Sequence, residues 1–387
     1  MGDDAYESDK LEYKASISKK ATLIAASVVI LVIAVIASCA FGNGYSFEYT
    51  VQVILDHITG VEYPRRSPEW LADYYIFNNV MPGVVMAVIA GAGLSLAGTV
   101  MQSVMENPLA DAYTTGISSG AMLGAVTAIV MGFSFAGVSS GLGIITNAFV
   151  GSLIPAIVII LLIRRVGTSP ATVILIGTAL SFFFNSIVTL LLIGTSTSNL
   201  QTAYLWQIGS VADANWSEIP LMLVVVVIGS ILVEISYKKL NVMSLGARTA
   251  KSLGLDVAQF RTFCIIIVSI LVASIISFTG VIGFVGLVAP HIVRFLVGND
   301  NKFVVLGSIF VGALTLTLAD LASRLLYTVT EVPIGAVMSL IGAPIFLYLI
   351  VRKKSHREVF RCGREDRSSI APGPTWGTRG TTTARSI

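Results

Sequence analysis

An all-α, polytopic membrane protein with about ten transmembrane helices is the fold class this sequence predicts, and three observations predict it. Apolar types fill 55% of the 387 residues and Asp, Glu, Lys and Arg only 12%, about half the charged share of an ordinary soluble chain. Apolar runs of roughly 20 residues recur from Ala21 to Val351, long enough as helices to cross about 30 Å of hydrocarbon. Lys and Arg gather between alternate runs, on one side if successive runs reverse direction.

The runs fall at about 21–40, 82–105, 112–132, 141–163, 171–194, 218–236, 262–282, 283–297, 303–325 and 334–351. Residues 1–20 form a cytoplasmic N-terminal segment. The first run follows Lys10, Lys14, Lys19 and Lys20 and lacks a small-x-small cleavage site, so it reads as a retained span rather than a signal peptide. The eighth run is short and opens with Gly280, Gly283 and Gly286, which suits a partial or tilted helix. Lys19 and Lys20, Arg164 and Arg165, the loop with Lys238, Lys239, Arg248, Lys251 and Arg261, then Lys302 and Arg352 to Lys354 share one side. Both termini are therefore expected inside the cytoplasmic membrane. The loops Phe41–Asn79 and Thr195–Ser217 are expected outside; Arg65 and Arg66 depart from the charge rule. Residues 352–387 carry nine basic and three acidic side chains and no apolar periodicity, the composition of a disordered tail drawn to anionic headgroups.

Spans two to five begin outside and spans seven to ten inside, so a four-helix unit can repeat in inverted orientation. The small-residue segments GAGLSLAG (91–98) and GVIGFVGL (280–287) stand at loosely matching places. Both allow close helix approach.

The chemistry missing from the chain narrows the function. Cys39, Cys264 and Cys362 show no metal or redox spacing, and His57, His291 and His356 are scattered; no catalytic, metal or cofactor site is expected. The middles of spans two to five and seven carry no titratable residue, which disfavours a proton-coupled carrier. A secondary, ion-coupled transporter using backbone carbonyls stays open as the alternative. No GxxxxGK[ST] loop occurs, so ATP work falls to a partner. Nothing indicates nucleic acid as a ligand.

The loop at 237–261 is the most informative soluble segment. Ala247 to Leu253 spell about two helical turns, Gly254 suits the left-handed turn that ends a helix, and Asp256 suits the cap of the next. A helix this short is not stable alone in water. The small residues Gly246, Ala247 and Ala250 offer a face for a groove on another subunit.

GAGLSLAGTVMQSVMENPLAD (91–111), YLWQIGS (204–210), SLGARTAKSLGLD (244–256), GVIGFVGLVAPHIVRFLVG (280–298), ADLASRLL (319–326) and EVPIGAVMSLIGAPIFLYLI (331–350) together resemble the FecCD family of permeases, which includes cobalamin permeases. The resemblance implies a ten-span permease subunit of an ATP-binding-cassette importer. It would work as a homodimer, bind two ATPase subunits inside and receive a ferric siderophore, haem or cobalamin from a solute-binding protein outside. It places Gly246, Ala247, Ala250, Leu253 and Gly254 on the helices that dock the ATPase. Thr168, Ser169 and Pro170 fall near the family's cytoplasmic gate, and His291 on its Pro-His step, where a packed structural role is expected. Asp320 and Arg324, four apart near the outer end of span nine, suit a helix-surface ion pair, with external docking by Arg324 as the sharper alternative. Glu106, where many iron permeases have Arg, leans toward the cobalamin type. One departure stands out: where the family carries Arg-Leu-Pro-Arg, this chain has Val80, Met81, Pro82 and Gly83. Arg65 and Arg66, held between Pro64 and Pro68, are the candidates for relocated docking charges.

Overall fold

In lipid the backbone must satisfy its own hydrogen bonds, which leaves helices as the default for each apolar run. The computed structural model describes residues 2–42, 44–137, 141–167, 169–326, 332–348 and 351, and among them finds helices and no strand. The order is α1 (Gly2–Ala40), α2 (Phe47–Ile58), α3 (Pro68–Tyr75), α4 (Met81–Val104), α5 (Ile117–Met131), α6 (Gly141–Val166), α7 (Pro170–Leu192), α8 (Thr197–Ile208), α9 (Ile219–Ile235), α10 (Tyr237–Met243), α11 (Ala247–Ser252), α12 (Val257–Thr279), α13 (Val285–Val297), α14 (Asn301–Leu326) and α15 (Ile334–Tyr348). The tail 352–387, Thr168 and the segment 327–331 lie outside the described residues.

Six stretches are long and apolar enough to cross a membrane alone: Lys14–Ala40, Pro68–Val104, Gly141–Ile163, Pro170–Leu192, Val257–Thr279 and Asn301–Leu326. α9 and α10 make a seventh, bent by 63°. The shorter α5, α13 and α15 occupy the places of the remaining expected spans.

Two expectations change. The first helix runs unbroken from Gly2 rather than starting at Ala21. The outer loop Phe41–Asn79 is not a loop: it holds α2 and α3, and α3 continues through a π turn at Ile76–Val80 into α4. The bounded segment Thr195–Ser217 likewise contains α8, whose Ala203 is buried with Met122, Val126 and Val188.

The short helices have a common cause. At 1.5 Å per residue, α5 and α13 reach only about 22 and 20 Å, short of the hydrocarbon thickness. Each is preceded by irregular chain, 105–116 and 280–284, the first including a 3₁₀ turn at Ala112–Thr115. Non-helical backbone is tolerated at such depth only inside protein, and here protein surrounds it. The Tyr113 hydroxyl donates to the Ile282 carbonyl at 2.8 Å, and the Gln102 amide to that of Gly286 at 3.3 Å. Ser210 N–H donates to the Thr279 carbonyl at 2.8 Å, and Gly335 N–H to that of Gly209 at 3.2 Å.

The core centres on α4, whose residues from Ala87 to Gln102 are nearly all buried. Gly91 and Ser95 meet Gly312 of α14, and Gly98 meets the Gly286 backbone of α13. The packing has the reciprocity an inverted repeat demands: α4 packs on α14 and α13, while α12 packs on α6 and α5. Under that operation span two exchanges with seven, three with eight and four with nine.

A Cβ on Gly98 would lie far inside van der Waals contact distance of the Gly286 carbonyl oxygen, whereas one on Gly283 would meet nothing within 4 Å. Gly98→Ala is expected to cost about 1–3 kcal/mol as overpacking and to lower the thermal midpoint of the detergent-solubilised protein. Gly283→Ala should leave it unchanged. Equal midpoints for Gly98→Ala and the unmodified chain would refute the close crossing.

Candidate functional site

The end of the bundle that carries α10 and α11 is built by a chain of caps and turns. α9 stops at Ser236 and the chain turns into α10, whose Asn241 anchors it: its amide donates to Asp300 Oδ1 at 2.8 Å and its oxygen accepts from Asn301 N–H at 2.7 Å. Ser103 Oγ donates to Asn301 Oδ1 at 3.2 Å, and Arg294 donates to Ser103 Oγ at 3.1 Å. α4, α10, α13 and α14 are thereby joined at this end. His291 is buried on α13, as expected of a packed residue.

The expected short helix forms as α11, ended by Gly254 at φ +86°, and Asp256 Oδ1 caps α12 by accepting from Gln259 N–H at 3.0 Å. Its facing differs from expectation. Ala250 is fully buried within the chain's own core, packed against its neighbours rather than turned outward. Gly246 and Ala247 are half-buried, while Leu245, Arg248, Thr249, Leu253 and Gly254 are exposed. The outward face is therefore a Leu245 and Leu253 pair flanked by basic side chains, because a two-turn helix needs Ala250 as its own anchor.

Glu106, in sequence only a lean toward one cargo type, lies against this loop in the structure. It stands just past the end of α4 with φ +51°, a left-handed conformation uncommon outside glycine. Glu106 Oε1 accepts from Ala247 N–H at 3.0 Å and lies 3.4 Å from Arg261 Nη2. Arg261, 1% exposed, also donates through Nε and Nη2 to the Val104 carbonyl at 3.3 and 3.2 Å. No spacing signals a group whose partners lie 141 and 155 residues away.

At the expected gate, Ser169 and Pro170 start α7: the Ser169 hydroxyl accepts from Thr172 N–H at 3.1 Å and Pro170 takes the first turn. Thr168 is outside the described residues.

On the opposite side Arg65 and Arg66 are both exposed in the turn between α2 and α3, with Arg66 at φ +70°. The turn is pinned by its neighbours. Ser67 Oγ caps α3 by accepting from Trp70 N–H at 3.1 Å, and His57 Nδ1 lies 2.7 Å from Asp73 Oδ1. Tyr63 donates to Asp56 Oδ2 at 2.7 Å, and that bond to a carboxylate pushes the phenol up to about 12. Gly83 has a reason to lack a side chain, since its Cβ would stand 3.1 Å from the Val211 carbonyl oxygen.

Asp320 and Arg324 do pair, but not on a helix surface. They are 4% and 7% exposed, and the guanidinium binds both Asp320 Oδ2 and Ser38 Oγ of α1. Burial takes Arg324 off the outer surface and makes it a fastening between α1 and α14; an external docking contact does not fit that position. Among the described residues no group of three His, Cys, Asp or Glu could hold a metal ion.

Residues 29–352 match the FecCD transport family. The hemin transport system permease protein HmuU of Yersinia pestis is 34% identical, over 74% of this chain and 86% of its own. The cobalamin import system permease protein BtuC of Halobacterium salinarum is 35% identical, over 70% and 71%. A solved ABC transporter of described metal-chelate type, in an inward-facing conformation, superposes with a TM-score of 0.73 at 30% identity, over 86% of this chain and 99% of that one.

Removing one partner of a buried ion pair strands the other charge. Arg324→Ala alone is expected to destabilise by about 3–5 kcal/mol, read as lost yield of folded protein from the membrane. The double variant Asp320→Leu with Arg324→Met should recover most of it. A single variant as stable as the unmodified chain would show that the pair is not buried.

Proposed function

We propose, from the premise that this chain belongs to the FecCD transport family, that it is the membrane-spanning permease subunit of an ATP-binding-cassette importer. It forms the path for a ferric siderophore-type chelate, haem or cobalamin handed over by an extracytoplasmic solute-binding protein. The chain works as a homodimer with two ATPase subunits, binds no cofactor itself and performs no catalysis; ATP is used by the partner. Both termini face the cytoplasm.

The observation that carries this reading is the inner loop 237–261: a two-turn helix anchored by Ala250 and presenting Leu245 and Leu253 to the outside. A short helix held rigid by its own chain with two leucines exposed is a preformed contact for a partner, and the chain has no phosphate loop of its own. Membership of the FecCD transport family supports reading that partner as an ATPase subunit. Cargo identity is decided by binding assays of the cognate binding protein with ferric chelates, hemin and corrinoids side by side.

The purified chain should hydrolyse no ATP until an ATPase subunit is added. Leu253→Glu places a charge in the centre of the docking face without touching this chain's core, and should weaken assembly by about 2 kcal/mol, roughly thirtyfold. Intrinsic ATPase activity of the clean chain, or undiminished affinity of the variant, would sink the proposal. Ala250→Glu is the wrong probe, because it would break the loop's own anchor.

The outer face gives a second test. Arg66→Cys should react with an impermeant thiol reagent in intact cells, fixing the orientation. Replacing Arg65 and Arg66 together by Glu should slow association with the binding protein about tenfold at low ionic strength, where complementary charge governs encounter, and leave ATPase assembly intact. An unchanged association rate at low salt would remove both arginines from the docking role.

A further inference from the structure

Three parts of the inner end meet at a single carboxylate. The backbone just beyond α4 holds Glu106 in a left-handed conformation, which fixes where its side chain leaves the helix. One oxygen, Oε1, takes both the first N–H of α11, at Ala247, and the guanidinium of Arg261 at the base of α12. Arg261 in turn closes on the Val104 carbonyl, one of the last of α4. Displacing α11 must therefore either break charge-assisted bonds or carry α4 and α12 with it. Bonds to a carboxylate are stronger than neutral ones; Arg261 is buried while the Glu106 side chain is 30% exposed, so the carboxylate is the movable end of the link.

The two helices so fastened are those that hold the interior. α4 packs against α14, α13, α12 and α9, and α12 packs against α6 and α5. The segment 105–116 that Glu106 opens runs directly to Asp111, whose Oδ1 approaches Gly286, and to Tyr113, bonded to Ile282. A pull at Glu106 thus reaches both irregular segments of the bundle by covalent chain and one hydrogen bond.

We infer that Glu106 is a positioning residue that couples α11 to α4 and α12, so that movement imposed on the inner loop by the ATPase is delivered to segments 105–116 and 280–286. The inference rests on the reading of α11 as the ATPase contact. A plainer role for Glu106 is neutralisation of the buried Arg261 charge; that role alone predicts lower stability with no change in response to nucleotide.

The test is hydrogen–deuterium exchange on the intact complex of this chain with its ATPase in lipid nanodiscs, without nucleotide and after trapping with ATP and vanadate. In the unmodified complex, trapping should change exchange both in 245–255 and in 105–116. Glu106→Ala should retain the change in 245–255 and lose most of that in 105–116. Glu106→Gln keeps an oxygen for Ala247 N–H but removes the charge from the Arg261 contact, so its response should be intermediate, and it carries the test if Glu106→Ala does not assemble. The idea is overturned if 105–116 responds in Glu106→Ala as in the unmodified complex, if 105–116 is silent in the unmodified complex, or if neither variant assembles, which would make Glu106 a folding residue. Failure of the underlying reading is scored apart from these results, by normal assembly of Leu253→Glu.

Discussion

The close approach of backbone to backbone around α4 is the constraint on which the rest of the structure depends. Between helices in lipid there is no hydrophobic gain from leaving water, so association rests on van der Waals contact and on hydrogen bonds. Gly91 against Gly312 and Gly98 against Gly286 bring the chains near enough for both. That proximity lets Gln102 and Tyr113 reach the carbonyls of 280–287. Irregular backbone can then exist at depth, and irregular backbone is what leaves α5 and α13 short.

Polar groups inside the bundle follow the same economy of distance. Asp320, Arg324 and Ser38 fasten α1 to α14, and Asn241, Asp300, Asn301, Ser103 and Arg294 fasten the inner ends. A buried charge without a partner is expensive, so each such cluster tolerates little variation in where its helices end. The inner cluster also prepares the loop: with α10 held by Asn241, α11 projects from a fixed base, and a helix too short to be stable alone becomes a rigid contact.

The two faces use opposite means for what is read as recognition. At one end the exposed face of α11 combines Leu245 and Leu253 with Arg248 and Lys251 on a helix already held by its own chain. The turn bounded by α2 and α3 instead exposes two arginines, a charge that under the proposed function would speed encounters with a soluble carrier. At Gly83, one of the places the family resemblance would put charge, an added Cβ would crowd the Val211 carbonyl oxygen at 3.1 Å, so a side chain there would require Val211 to shift by a few tenths of an ångström.

Taken alone, the sequence determined the class of fold, the order of the apolar segments, the cap at Asp256, the turn at Gly254 and the membership in a transport family. All of these depend on local periodicity, on residue types with special backbone preferences, or on motifs read in order. Only the tertiary structure decided that Ala250 faces inward and Leu253 outward, that Arg324 is buried, that α3 runs on into α4, and that Glu106 meets Ala247 and Arg261. Pairings across more than a hundred residues leave no periodic trace in one chain, and a helix of six residues has too few turns to mark its buried side. Which face a residue presents is set by the neighbour that covers it, and that neighbour is known only once the chain has folded.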